Sequence, residues 1–343
     1  MYESFYRLSG NPFQLTPDSR FFFGSVGHSR AISHLVYGLA QEEGFVVITG
    51  EVGAGKTTLV EHLWTQLDRR SYVIGRVVTT QVSNDDLLRL AVTSFGIEDG
   101  GTDKATLLRR FEQMVHDQRA NGRRCLLVVD EAQNLSFAAL EELRMLSNIT
   151  VAGRASVQTI LLGQPQFRAL LASPELEQLR QRVLASYHLG PLSERETRLY
   201  IEHRLHMVGW SDDPYWVDAA FIAAFRATGG IPRRINTLCS RVLVLGALEE
   251  VHTVTEEMVS ATAADLEQDL GAGGIAAQVR PTMGNGAGTD GLVRRLEAVE
   301  ERVARQDRMF RRLLDLIGSY ADVARCPGPT VRCRPGPRRS AIR

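Results

Sequence analysis

Apolar residues in this chain come first as short blocks and later as helical stripes, and the change of period divides it into two parts. Residues 45–49 form a β-branched run, and comparable runs fall at 72–78, 125–129, 157–162 and 184–189. Between them, apolar positions recur at helical spacing over 28–41, 57–67, 84–95, 102–121, 137–147 and 166–172. Runs this continuous are buried on both faces, so five of them alternating with helices predict a five-stranded parallel sheet in an α/β fold. From residue 191 only helical periodicity remains. Ser193 with Glu196 reads as a capping box opening a helix to about 207, periodicity returns over 214–228 and 232–248, and Thr255 before Glu256 and Glu257 starts a last helix. A small helical lid behind the α/β part is predicted.

The flanks have a different composition. Residues 1–27 are a Phe-, Pro- and Gly-rich lead-in punctuated by Pro12, Phe13 and Pro17. After the lid, 269–290 has the Gly-rich composition of a flexible linker. Leu292, Leu296, Val299, Val303, Gln306, Phe310, Leu313 and Ile317 then alternate four-three spacing, a heptad seam within 291–319. Two readings of that seam stand open: a coiled coil that self-associates, or an amphipathic helix laid on its own domain. The tail, 320–343, is basic and predicted to be disordered, its arginines and prolines giving either a solvated end or a weak anionic contact. The expected organisation is therefore lead-in 1–27, α/β core 28–190, lid 191–268, linker 269–290, coiled-coil helix 291–319 and tail 320–343.

Composition narrows the class without choosing a function. With 343 residues and 44% hydrophobic content, the chain can bury a full core. Its 40 basic and 40 acidic residues cancel, so bulk charge argues for neither nucleic acid nor an anionic membrane. The first residues lack a basic start followed by an apolar stretch, and no window is long and apolar enough to span a bilayer, so a cytoplasmic location is expected. Cys125, Cys239, Cys326 and Cys333 are too scattered for a disulfide framework and read as reduced thiols; Cys326 and Cys333 alone do not make a metal site.

The chemistry sits where strand meets helix. Gly50-Glu51-Val52-Gly53-Ala54-Gly55-Lys56-Thr57 is a complete G-x-x-x-x-G-K-[ST] loop between the first strand and a helix that begins with Thr58. Glycines let successive backbone N–H groups turn inward as a nest for phosphate, at a helix N-terminus whose dipole favours negative charge. Lys56 would reach the β- and γ-phosphates, and the Thr57 hydroxyl would bind Mg²⁺. Residues 125–131 are an apolar strand ending in two carboxylates, the Walker B arrangement. Asp130 would hold Mg²⁺ and Glu131 would be the general base for water. Gln164, after the fourth strand, is the sensor candidate, with a plain Gln164-Pro165 turn as the rival reading. Arg180 and Arg182 are candidates for a finger acting on a neighbouring subunit, against a role in surface ion pairs. Arg233, favoured over Arg234, starts a lid helix aimed back at the cleft.

These motifs, with Asn11-Pro12-Phe13, Thr16-Pro17-Asp18, His28-Ser29-Arg30, Tyr37-Gly38-Leu39, Asp130-Glu131-Ala132-Gln133, Leu143-Arg144-Met145-Leu146-Ser147-Asn148, Leu162-Gly163-Gln164-Pro165 and Gly230-Ile231-Pro232-Arg233, resemble the general secretion pathway A-type AAA+ ATPases over about residues 1–268. The resemblance implies a P-loop AAA+ core with a helical lid, Mg-ATP hydrolysis, and homo-oligomers, as rings or filaments, with sites between subunits. It also implies that Asn11, Pro12, Phe13 and the segment after them lie near adenine and that Asn148 lies toward the γ-phosphate. The secretion members carry a membrane span and a peptidoglycan-binding region after the lid. The present sequence lacks both patterns and is closer in build to soluble relatives linked to exopolysaccharide export, or to transposition helpers. The expected function is an ATPase that remodels or assembles a partner complex in secretion or envelope export. The alternative is an ATP-dependent DNA-binding helper of the transposition or initiator type, for which the core shows no dense basic stripe. A helicase is disfavoured by the lack of a second parallel-sheet motor after residue 191.

Overall fold

The computed structural model describes residues 2–272, apart from 17, 69, 79–83 and 102. The seam and basic tail, most of the linker, and Cys326 and Cys333 lie outside the described residues. Five strands, β1 (Phe45–Gly50), β2 (Tyr72–Val78), β3 (Arg124–Asp130), β4 (Val157–Gly163) and β5 (Val183–Leu189), form one parallel sheet in the order β2-β3-β4-β1-β5. Burial follows position. The interior strands β1 and β4 are buried at every residue and β3 at all but its first, whereas the edge strands β2 and β5 expose several residues. That is why the interior strands read as unbroken apolar runs.

Alternation along β1 assigns the two faces. Phe45 and Val47 enter one apolar cluster with Leu87, Leu107, Phe111, Leu140 and Phe167, while Val46 and Ile48 enter another with Leu35, Leu39, Leu59 and Leu63. The first set comes from α3 (Asn84–Thr93), α4 (Lys104–Ala120), α5 (Phe137–Leu146) and α6 (Gln166–Leu171), and the second from α1 (Val26–Ala40) and α2 (Lys56–Gln66). The sheet is thus sandwiched between two helical layers. Each fully buried Leu, Val or Phe contributes about 1.5–3 kcal/mol by leaving water.

The lid comprises α7 (Glu194–His206), α8 (Asp218–Thr228), α9 (Pro232–Leu248) and α10 (Glu256–Ala272). The capping box is formed in both directions: Ser193 accepts from the Glu196 backbone N–H, and the Glu196 side chain accepts from that of Ser193. The lead-in is part of the same body. Tyr2, Tyr6, Leu8, Phe13 and Phe21 share an apolar cluster with Ile201, Leu205, Phe221, Leu238 and Leu243.

Several boundaries differ from the sequence reading for local reasons. Helix α1 begins at Val26 because Ser25 caps it, its hydroxyl accepting from the His28 N–H. Helix α4 begins at Lys104, capped by Asp103. The periodic stretch 214–228 is helical only from Asp218, because Tyr215–Trp216 pairs in parallel with Thr253–Val254, burying Trp216. A two-residue hairpin, Thr150–Val151 with Arg154–Ala155, follows α5 and has no apolar signature. Helix α10 runs into the stretch read as linker, with Asp269 paired to Arg241 at 2.7 Å. Among the described residues, no helix is long and apolar enough to cross a membrane.

Candidate functional site

The order of the sheet assembles the site. Strand β4 lies between β1 and β3, and its register sets Ile48 beside Leu162, Thr49 beside Gly163 and Val129 beside Leu161. The phosphate loop after β1, the carboxylates ending β3 and Gln164 after β4 therefore emerge side by side at one edge of the sheet.

Within the loop, Gly53 and Gly55 have φ of 82° and 96°, a region side chains other than glycine rarely enter. Both are also crowded. A Cβ on Gly53 would lie 2.4 Å from Cβ of Arg233, and one on Gly55 would lie 2.9 Å from Nε2 of His28. Lys56, buried at the start of α2, donates to the carbonyls of Gly50 at 2.8 Å and Glu51 at 3.0 Å. Burial lowers its pKa, which nearby Glu131, Asp130 and Glu51 partly oppose. Ala54 is fully buried and donates to the Glu51 carbonyl. Val52, Gly53, Gly55, Lys56, Thr57 and Thr58 line a cleft of about 340 Å³.

The acidic pair is held by neighbours. The Thr57 hydroxyl donates to Asp130 Oδ2 at 2.7 Å, and the Glu131 N–H donates to Asp130 Oδ1 at 2.9 Å. Glu131 lines the cleft with a left-handed backbone, φ 54°, a strain of a kind that collects at functional sites. Gln164 Nε2 donates to Glu131 Oε2 at 3.2 Å, Gln133 Nε2 donates to the same oxygen, and the Gln164 N–H donates to Gln133 Oε1 at 2.9 Å. Two amides thus fix one carboxylate.

The lid closes the other side. The Arg233 N–H donates to the Gly53 carbonyl at 3.2 Å, so the start of α9 rests on the phosphate loop. His28 is buried against the loop, with Nδ1 2.7 Å from Ser25 Oγ and its ring edge-on to Phe22. Burial pulls its pKa down to about 4, against the opposing effect of Glu196. Glu196 also accepts from the Val26 N–H at 2.9 Å, joining the lid's capping box to the N-terminus of α1.

The other residues singled out in the sequence lie elsewhere. Phe13 is 1% exposed in the lid's apolar cluster, its N–H held by Asn11 Oδ1 at 2.8 Å, and Pro12 is buried beside it. Neither is among the residues lining the cleft, a position taken by Gln14, Leu15, Thr16 and Phe21, Phe22 and Phe23. Asn148 is exposed beyond α5. Arg180 donates to the Ala172 carbonyl at 3.2 Å and Arg182 to Ser147 Oγ at 3.1 Å, both away from this chain's own cleft. Conversely, the sequence pattern assigned no site role to Gln133, His28, Tyr200, Arg204 or Asn236. Gln133 had a local signal, two residues after Glu131; the lid residues had none.

Residues 39–171 match the AAA domain family. Over 267 residues, 77% of this chain, the sequence is 35% identical to the general secretion pathway protein A of Aeromonas hydrophila. Residues 39–171 are thus an AAA domain, in a chain similar in sequence to a general secretion pathway A protein. The chain spans 48% of that relative's length. Solved structures with the same fold include Cdc6p of Pyrobaculum aerophilum, with a TM-score of 0.58, 15% identity, and coverage of 73% of this chain and 71% of that one. The ADP form of Aeropyrum pernix ORC2 gives 0.57 at 17% identity, covering 74% and 72%. Drosophila ORC bound to DNA gives 0.52 at 16%, covering 81% and 68%. At these identities the likeness is one of fold.

Proposed function

We propose that this AAA domain binds Mg-ATP in the cleft between sheet edge and lid, hydrolyses it, and uses the cycle to assemble or remodel a partner complex in secretion or envelope export. The observation that carries the reading is the joining of Lys56, Thr57, Asp130, Glu131 and Gln164 at the ends of three adjacent strands.

The phosphate chain enters the nest made by 50–57, and Lys56 exchanges the loop carbonyls for phosphate oxygens. Thr57 and Asp130 supply the hard oxygen donors that would hold Mg²⁺, which when bound draws charge from the phosphates. Phosphate and water would complete the coordination of such an ion. Glu131 takes the proton of the attacking water, and Gln164 with Gln133 sets the direction of its carboxylate. Arg233 offers charge from the lid. Arg180 or Arg182, lying outside its own cleft, serves the site of a neighbouring copy in a homo-oligomer.

The test is a pair of substitutions. Lys56→Ala should abolish turnover by the purified protein, and Glu131→Gln should retain bound ATP while cutting turnover by about a hundredfold or more. Wild-type turnover in Glu131→Gln would refute the base assignment. The likeness to Drosophila ORC bound to DNA supports a second reading, a nucleotide-switched DNA binder. ATP-stimulated, salt-sensitive DNA retention would favour it, and no retention at low salt would remove it.

A further inference from the structure

The lid wall of the cleft contains a cation with no counter-ion among the described residues. Arg204, on α7, is 5% exposed and lines the cleft together with Phe21, Tyr200 and Asn236. Its guanidinium lies 4.8 Å from the centre of the Phe21 ring and 5.5 Å from that of Tyr200. Its hydrogen bond to protein is from Nη1 to the Tyr200 hydroxyl at 3.0 Å, and that hydroxyl donates onward to Asn236 Oδ1 at 2.9 Å. Arg204 Nε is buried with no partner. Among the described residues no carboxylate forms an ion pair with it. A buried guanidinium is normally paired, because desolvation costs several kcal/mol that two ring faces only partly offset.

The direction of the free hydrogen-bonding capacity is fixed by the network. Asn236 uses its carbonyl oxygen to accept from Tyr200, which leaves its amide nitrogen as a donor, and Arg204 has donors only. The wall therefore offers donors to whatever fills the cleft. Phosphate already has a separate place at Lys56 and Thr57, on the sheet side. Arg204 stands with Phe21, from the lead-in, and Phe22 and Phe23 line the same cleft. A donor set beside aromatic rings suits the acceptor atoms of a nucleoside.

We propose that Arg204 is a binding residue for the nucleoside half of the nucleotide, its guanidinium donating to acceptor atoms of base or ribose, with Tyr200 and Asn236 as positioning residues. The proposal rests on the ATP site described above. A nucleoside in place would complete the hydrogen bonds of a guanidinium that the fold alone leaves short, so the lid would be more ordered with nucleotide than without.

Titration of the full chain with ATP, 2′-deoxy-ATP and inorganic tripolyphosphate tests it. Arg204→Met should weaken ATP about tenfold or more while moving tripolyphosphate less than about twofold, since only the nucleoside contact is lost. Its melting temperature without nucleotide should hold or rise, because an apolar side chain of similar length replaces an unpaired charge. Arg204→Lys, which keeps the charge but loses the planar fork, should weaken ATP by an intermediate factor and covers the case in which the methionine variant does not fold. A loss in Arg204→Met that is undiminished with 2′-deoxy-ATP assigns the contact to the base, and one that shrinks assigns it to the ribose. Equal losses for ATP and tripolyphosphate, or no loss for either, would overturn the proposal. Failure of the wild type to bind either ligand would instead overturn the ATP site itself.

Discussion

At the sheet end of the cleft the polar groups answer one another, whereas at the lid end they do not. Thr57 donates to Asp130, Lys56 rests on two carbonyls, and Glu131 receives two amides, so each charge there has a local partner before any ligand arrives. Arg204 has one neutral hydroxyl and two ring faces. The sheet end is preorganised by short segments next to strand termini, and preorganised donors cost no rearrangement when charge develops. The lid end is assembled from residues far apart in the chain and is completed by its ligand. Chemistry belongs to the half whose polar groups are already paired and recognition to the half that a ligand completes.

The two halves are most sharply uncoupled at the point where they touch. Gly53→Val would force a side chain into a left-handed backbone and against Arg233, displacing loop or lid; turnover should fall about a hundredfold, measured as steady-state phosphate release. Turnover near wild type would mean that contact between Gly53 and Arg233 is dispensable.

A smaller effect follows from His28, which backs the loop and lies near the lid's Glu196. Its folded pKa is about 4, below the ordinary 6.5, so the unfolded chain binds the extra proton more readily. Stability from this group is present above pH 6.5 and is lost as pH falls toward 4. Between pH 7 and pH 5 the loss is about 2 kcal/mol. Denaturant midpoints across that range should slope less in His28→Gln than in wild type. Parallel slopes would show that His28 is not the titrating group.

The least effect at the cleft is expected from the far end of the chain. Removal of residues 289–343 should reduce the assembly mass seen by light scattering. An unchanged mass would remove the seam as an oligomerisation element and leave the supply of Arg180 or Arg182 from a neighbour to surfaces of the folded part.

Much of the sheet end was legible from sequence because its signals are local. The loop glycines are required by backbone geometry, and the strand before each motif is apolar because it is interior. The lid wall was not legible in the same way. Tyr200 and Arg204 are four apart on α7 and so share a helical face, but that spacing alone does not say that Phe21 will lie against them. Phe13 shows the converse. The family resemblance directed it to the adenine, and the structure seats it in the lid's apolar cluster while the residues just after it line the cleft. The parallel pair of Tyr215–Trp216 with Thr253–Val254 escaped notice because two residues are too few to show a period.

The sequence by itself determined a phosphate loop, an acidic strand end and a sheet followed by a helical lid, since each depends on spacing within a few residues. The tertiary structure decided which strand lies between the two motifs, that Gln164 and Gln133 converge on Glu131, and that Arg204 stands in the cleft with no carboxylate of the described residues paired to it. Those outcomes depend on strand order and on packing between segments from about thirty to well over a hundred residues apart, where burial and the exclusion of water, not local spacing, select the partner.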